Sequence, residues 1–305
     1  MKIGIVGMGY VGSSVAISLL QSGIARELLL HDLDSALAEG EALDLNHGAP
    51  YVPSCDVSAC ALSDMRRADA VVVAAGRGGA KDGDRLSLLQ DNVRIMREIA
   101  ESLRGFGGLI VVVTNPVDVM TRVIAEVSGL PPERVIGTGT MLDTARLRHV
   151  LARELDVAPR SVHANVVGEH GNSKVVLWSC AEIGSRLLRA WPTWQGPEQE
   201  ARIATEVRRA AAEIIARKGA TNHAIGLVTA SLLGVIKRDD RRVLCVSRVQ
   251  EGAFGLRGVA LSLPTIVGRG GAESVIEPSL NDTEREALQR SAAILEEAHA
   301  KLSPT

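Results

Sequence analysis

Near its start the chain carries a short apolar run, Lys2-Ile3-Gly4-Ile5-Val6, that stops at Gly7-Met8-Gly9-Tyr10-Val11-Gly12 and passes into a helical pattern over 11–21. A strand, a turn with GxGxxG spacing and a helix, in that order, restrict the fold more than any other segment. The first glycine permits a tight turn, the second lets a ligand approach bare backbone, and the third lets helix pack close on strand. The freed N–H groups and positive dipole end of the helix then suit a pyrophosphate. A second strand, Glu27–His31, runs into Asp32, about 20 residues past the turn, where an acid accepts bonds from the adenosine ribose hydroxyls and repels a 2′-phosphate. The segment therefore reads as a site for NAD rather than NADP, with Gly7, Met8, Gly9, Tyr10, Val11, Gly12 and Asp32 as cofactor contacts.

The rest of the first half repeats the alternation. Helical patterns occupy 36–46 and 84–103, and uninterrupted Val/Ile runs occupy 70–74 and 109–114. Continuous apolar runs mark strands covered on both faces, as in a parallel βαβ sheet. Beyond residue 140 the pattern changes. Helices are expected over 143–155, 198–218, 224–237 and 281–302, the last capped by Asn281 or Asp282, and strands over 162–167, 175–183, 242–247 and 258–267. The fold class is α/β: a Rossmann doubly wound parallel sheet over 1–140, followed by an α+β substrate domain over 141–305. A length of 305 residues suits two such domains.

Composition removes other classes. Hydrophobic residues are 46% and charged residues 23%, enough apolar surface to drive folding of an ordered chain. The net charge of −2 offers no basic stripe for nucleic acid, and 2% aromatics leave little to stack on bases or to girdle a membrane. No run of about 18 uncharged apolar residues exists to span a bilayer, and the first residues lack a signal-peptide core. Cys55, Cys60, Cys180 and Cys245 show neither disulfide-scaffold nor zinc spacing. They read as reduced thiols, and the expected location is the cytoplasm.

Four further segments carry polar residues in chemically suggestive places. Residues 76–86 follow a buried strand with Gly76, Gly78, Gly79 and Gly83, and read as a mobile lid with Arg85 at its hinge end. Thr114-Asn115-Pro116-Val117-Asp118 lies at the carboxyl end of a strand, where open α/β sheets bind ligands. Asp143 and Arg146 open a helix, and His170 sits between glycines in Gly168-Glu169-His170-Gly171-Asn172-Ser173. Hydride transfer to a 2-oxo acid needs such a set. A histidine moves a proton near neutral pH, and a carboxylate fixes its tautomer. One arginine grips the substrate carboxylate with two bonds, and a second stabilises charge on the oxygen.

Taken together, these segments resemble the L-lactate and L-malate dehydrogenase family over nearly the whole chain. Ala42-Leu43-Asp44-Leu45-Asn46-His47-Gly48, residues 137–146 and Lys218-Gly219-Ala220-Thr221 add to the match. The resemblance implies that His170 is the proton donor and acceptor, that Asp143 orients it, and that Arg146 binds the substrate carboxylate. It further implies that Arg85 polarises the carbonyl on lid closure, that Asn115 contacts substrate and nicotinamide, and that Thr221 lines the substrate pocket. The expected activity is interconversion of pyruvate and L-lactate with NAD in a homo-oligomer, dimer or tetramer.

The pattern departs at the specificity position of the lid, where Gly79 stands instead of the glutamine of lactate enzymes or the arginine of malate enzymes. With Asn172, it resembles the L-2-hydroxyisocaproate branch, which takes bulkier 2-oxo acids. Arg77 and Lys81 keep malate open. Arg148 and His163 match positions where bacterial lactate dehydrogenases bind fructose 1,6-bisphosphate. A non-catalytic NAD-binding protein on the same fold is the reading from another class.

Overall fold

The structure is a computed structural model and describes residues 1–78 and 85–302, with the side chains of 85–87 outside that description. Its first six strands are β1 (Lys2–Val6), β2 (Glu27–His31), β3 (Asp56–Ala59), β4 (Ala70–Val73), β5 (Leu109–Val112) and β6 (Val135–Gly137). They are parallel and lie in the order β3-β2-β1-β4-β5-β6. The order reverses between β1 and β4, and a doubly wound sheet binds its ligand outside the carboxyl ends of the strands at such a point.

The Val/Ile runs are buried because helices cover both faces. On one face α1 (Tyr10–Ser22) and α2 (Ser35–His47) bury Leu19 and Ala38 with Ile3, Ile5, Val72 and Val111. On the other, α3 (Arg85–Ser102) and α4 (Val117–Ser128) bury Met96, Met120 and Ile124 with Val71, Val73, Ile110 and Val112. Alternate residues of one strand thus serve opposite layers, which is why these strands tolerate no polar position.

The second half begins with α5 (Met141–Leu155). The short strands β7 (Val162–His163), β8 (Val166–Val167), β9 (Val175–Val176), β10 (Glu182–Ile183) and β11 (Arg186–Leu187) follow. Then come α6 (Pro197–Lys218), α7 (His223–Arg238), the long antiparallel strands β12 (Arg242–Glu251), β13 (Arg257–Gly268) and β14 (Gly271–Val275), and α8 (Asp282–Ala300). Strand β12 pairs with β6 through Ser247 and Gly137, so β12, β13 and β14 extend the parallel sheet to nine strands across residue 140. Helix α7 returns to pack on α1 and joins the first layer. A third core lies between α5 and α6, around Leu147, Leu151, Ile203 and Val207.

The expected long strands over 162–167 and 175–183 break into two-residue pieces. The chain turns at Asn165, whose carbonyl takes the Leu177 amide at 3.0 Å, and again in a 3-10 turn at Trp178–Cys180. Helix α4 and strands β3, β6 and β14 are additional to the sequence expectation. Asn281 caps α8, accepting the Glu284 amide at 2.9 Å while Glu284 reaches back to the Asn281 amide. The four cysteines are unpaired, and no described helix is long and apolar enough to cross a membrane.

Candidate active site

The glycine turn joins β1 to α1 at the carboxyl edge of the sheet. Gly7 takes φ of +96°, which favours glycine, and its absent side chain makes room for the backbone of Ala74 and Ala75 at the end of β4. A Cβ on Gly12 would collide with the Gly7 carbonyl, so the third glycine lets α1 start directly against the turn. Gly9 is different: nothing lies within 4 Å of where its Cβ would be. It is the N-cap of α1, has no side chain to satisfy the first helical amides, and leaves them facing open space. That empty, donor-rich approach fits a pyrophosphate.

Asp32, past the end of β2, holds the turn from the other side. Its Oδ2 accepts the Met8 amide at 2.6 Å and its Oδ1 accepts the Asp34 amide at 3.1 Å. Each carboxylate oxygen has a second lone-pair direction free for a ribose hydroxyl. Asp32 also lines a surface cavity of about 450 Å³ with Leu33, Ser35 and Ala38. The Met8 side chain is 1% exposed and Tyr10 is 75% exposed, so Met8 offers a ligand no side-chain surface.

A second cavity, about 140 Å³, opens at the carboxyl ends of β5 and β6. Asn115, Arg146, His170 and Thr221 line it together with Val11, Leu142 and Ile225. Four widely separated parts of the chain thus meet at one point. Thr221 is set there by its neighbour Asn222, whose Nδ2 donates to Ser14 Oγ on α1 at 2.8 Å. Of the other expected residues, Gly79 lies outside the described residues, as does the Arg85 side chain. Arg77 pairs with Asp91 on α3, which spends that lid cation locally.

His170 is held on two sides. Its amide donates to Asp118 Oδ2 at 2.7 Å, and its Nδ1 lies 2.6 Å from Asp143 Oδ2. The loop carrying it is tied to β13 by a pair of backbone bonds between Gly168 and Ser262. Asp143 stands in the first turn of α5, fully buried, and its Oδ1 accepts Lys174 Nζ at 2.7 Å, with Arg146 Nη1 at 3.5 Å. Burial alone would raise the Asp143 carboxyl. The hydrogen bonds and charges of His170 and Lys174 overcome that and hold it well below the usual carboxylate range. An ionised Asp143 only accepts, so it makes Nδ1 the donor and leaves Nε2 as the ring nitrogen without a partner among the described residues.

Asp118 has the opposite character. Burial pushes its carboxyl up to about 6, although the Ser247 hydroxyl, the His170 amide and the imidazole favour the charge. Its Oδ1 has no partner of hydrogen-bonding geometry among the described residues. An acid raised from 3.8 to about 6 on folding contributes its full stability below the lower value and loses it as pH rises through the upper one. Asp118→Asn keeps the acceptor for the His170 amide and removes the charge. Its melting temperature should exceed that of the unsubstituted protein by a few degrees at about pH 8, with the gain gone near pH 4. An equal difference at both pH values refutes the buried-charge account.

Asn92, on α3, is a residue that motif reading missed. It is 2% exposed, accepts the Arg77 amide at 2.7 Å, and donates to the carbonyls of Arg77 and Asn115 at 3.2 and 3.1 Å. It fastens the base of the lid segment to the loop that carries Asn115. A polar residue on the apolar stripe of Leu89, Val93 and Met96 was its only signal. Arg148 and His163 fall away from the cavity. His163 is exposed, and Arg148 gives Nε to the Ala164 carbonyl at 3.0 Å and Nη2 to Asn165 Oδ1 at 3.1 Å.

The NAD-binding domain of lactate/malate dehydrogenase matches residues 1–137, and the alpha/beta C-terminal domain of the same family matches residues 140–303. The chain belongs to the lactate/malate dehydrogenase family. Among its relatives in the family, an L-lactate dehydrogenase of Thermus aquaticus is 45% identical over 99% of each chain. One from Synechococcus is 44% identical over 97% of each. The minor L-lactate dehydrogenase of Enterococcus mundtii, solved in a ligand-bound form, superposes with a TM-score of 0.96 at 35% identity. It covers 100% of this chain and 99% of its own. As a lactate/malate dehydrogenase, the chain is an oxidoreductase, and its carboxyl-edge cavity is where family chemistry is to be sought. A larger cavity of about 460 Å³, lined by Arg66, Arg134 and Arg269, lies at the amino ends of the strands and holds none of the residues above.

Proposed function

We propose that the protein is an NAD-dependent L-lactate dehydrogenase that interconverts pyruvate and L-lactate. The observation that carries the reading is the His170 imidazole, bonded through Nδ1 to buried Asp143 and facing the same cavity as Arg146. NAD, held at the glycine turn and Asp32, supplies or accepts the hydride when bound. His170 Nε2 gives the proton to the carbonyl oxygen during reduction and takes it back during oxidation. Asp143 fixes the ring through Nδ1. Arg146 grips the substrate carboxylate, and Arg85, as the family resemblance implies, polarises the carbonyl. Asn115 and Thr221 shape the cavity wall.

A steady-state panel tests this. With NADH, kcat/KM should be highest for pyruvate, with 2-oxoisocaproate above oxaloacetate because Gly79 supplies space and no cation. A lead for 2-oxoisocaproate or phenylpyruvate reassigns the chain to the bulky-substrate branch, and a lead for oxaloacetate to the malate branch. No NADH oxidation with any of them makes it a non-catalytic NAD-binding protein. NADPH should serve far worse than NADH, since Asp32 repels the extra phosphate; equal use removes Asp32 from that role. Fructose 1,6-bisphosphate should activate, moving the pyruvate saturation curve to lower concentration, if Arg148 and His163 hold it, and an unchanged curve removes that site.

A further inference from the structure

Lys174 is absent from every motif considered above, yet it makes one of the closest contacts to the site. Its side chain is 8% exposed and its Nζ lies 2.7 Å from Asp143 Oδ1. A lysine costs free energy to bury, and is found buried where it has an ionic partner. Here the partner is the carboxylate that also holds His170. Asp143 is faced by His170 and Lys174 from the loop after β8 and by Arg146 from its own helix. His170 is faced in addition by Asp118 from α4 at its amide, while the Glu169 carboxylate turns away to the Ser173 amide and hydroxyl. The Arg85 side chain lies outside the described residues.

The charge count follows. With His170 neutral, the Asp143 carboxylate stands against Lys174 and Arg146. With His170 protonated, Asp143 stands against three cations, and the buried Asp118 at the His170 amide is the second acid of the site. Arg146 is balanced by the substrate carboxylate when that arrives, but nothing described near Lys174 balances it except Asp143. Lys174 is the close donor to Oδ1, with Arg146 Nη1 at 3.5 Å, so that Oδ2 is left to the imidazole in one orientation.

We propose that Lys174 is a positioning residue of the proton-transfer site, which fixes the Asp143 carboxylate for His170 and sets the pH range over which the site delivers its proton. The inference rests on His170 being the acid and base. Removing the cation makes the protonated site easier to form. The alkaline limb of kcat/KM for pyruvate reduction should therefore move up by about one pH unit in Lys174→Gln, which keeps a donor, and in Lys174→Met, which does not. Lys174→Arg should restore the original limb. Lys174→Met should in addition lose more kcat than Lys174→Gln, because Oδ1 is then left without its close donor.

Active Gln and Met variants whose limb stays in place overturn the inference. Failure of the underlying reading looks different: the unsubstituted protein would oxidise no NADH, or His170→Ala would keep its turnover. Should both neutral variants fail to fold, the unsubstituted protein still decides. It has six lysines, so ¹³C-labelled lysine ε-carbons can be resolved, with Lys174→Arg assigning the signal. The Lys174 signal should shift through the same pH as the alkaline limb, and a signal flat through that pH overturns the coupling.

Discussion

His170→Ala should lower kcat for pyruvate reduction by about 10²–10⁴-fold while leaving NADH affinity within a factor of about two. The split follows from the geometry. The imidazole lines the substrate cavity, whereas Asp32 lines a different cavity at the end of β2. Alanine removes the proton carrier but keeps the backbone donor to Asp118 Oδ2 at 2.7 Å. The buried Asp143 is not orphaned either, because Lys174 still pairs with it at 2.7 Å. The variant should therefore fold, and loss of turnover can be charged to chemistry. Steady-state rates with a fluorescence titration of NADH make the measurement. Turnover within a few-fold of the unsubstituted protein refutes the acid–base role, and a parallel loss of NADH binding points to a collapsed site instead.

The pieces of this molecule that are legible in its sequence are those fixed locally. The glycine turn depends on residues next to one another, so its spacing predicts its geometry. The runs over 70–74 and 109–114 predict covered strands, because burial on both faces leaves no polar position. Helix α4 escaped because Pro116 and the motif around it draw attention to a loop, although Val117, Met120, Thr121 and Ile124 repeat at helical spacing and Gly129 ends the pattern. Asn92 and Lys174, and the role though not the segment of Asp118, are illegible for a deeper reason. Each is an ordinary polar residue by type, and gains meaning from a partner brought in by the fold: Asn115, His170 or Asp143. The lid specificity position is a third case. Gly79 is conspicuous by what it lacks, and an absent side chain names no substrate by itself.

Arg146→Lys should cut kcat/KM for pyruvate by about 10²-fold, mostly through KM, with NADH affinity unchanged. Arg146 is 13% exposed at its side chain and shares the cavity with His170. A planar guanidinium offers a carboxylate two parallel bonds, and each charge-assisted bond contributes about 1.5–3 kcal/mol. Lysine keeps the charge but gives a compact, strongly hydrated point on a flexible stem. It recovers one bond in an unfixed geometry, so a loss near 3 kcal/mol is expected, which is about two powers of ten. Arg146 also leans on Asp143 at 3.5 Å, but that contact is long beside the 2.7 Å bond of Lys174, so the His170–Asp143 pair should survive the change. Pyruvamide separates the two roles, since it presents the same carbonyl without a carboxylate. If Arg146 binds the carboxylate, the preference for pyruvate over pyruvamide collapses in Arg146→Lys while turnover of the amide barely moves. If both substrates lose activity together, Arg146 acts instead through Asp143 on the proton carrier, and the carboxylate must be held elsewhere.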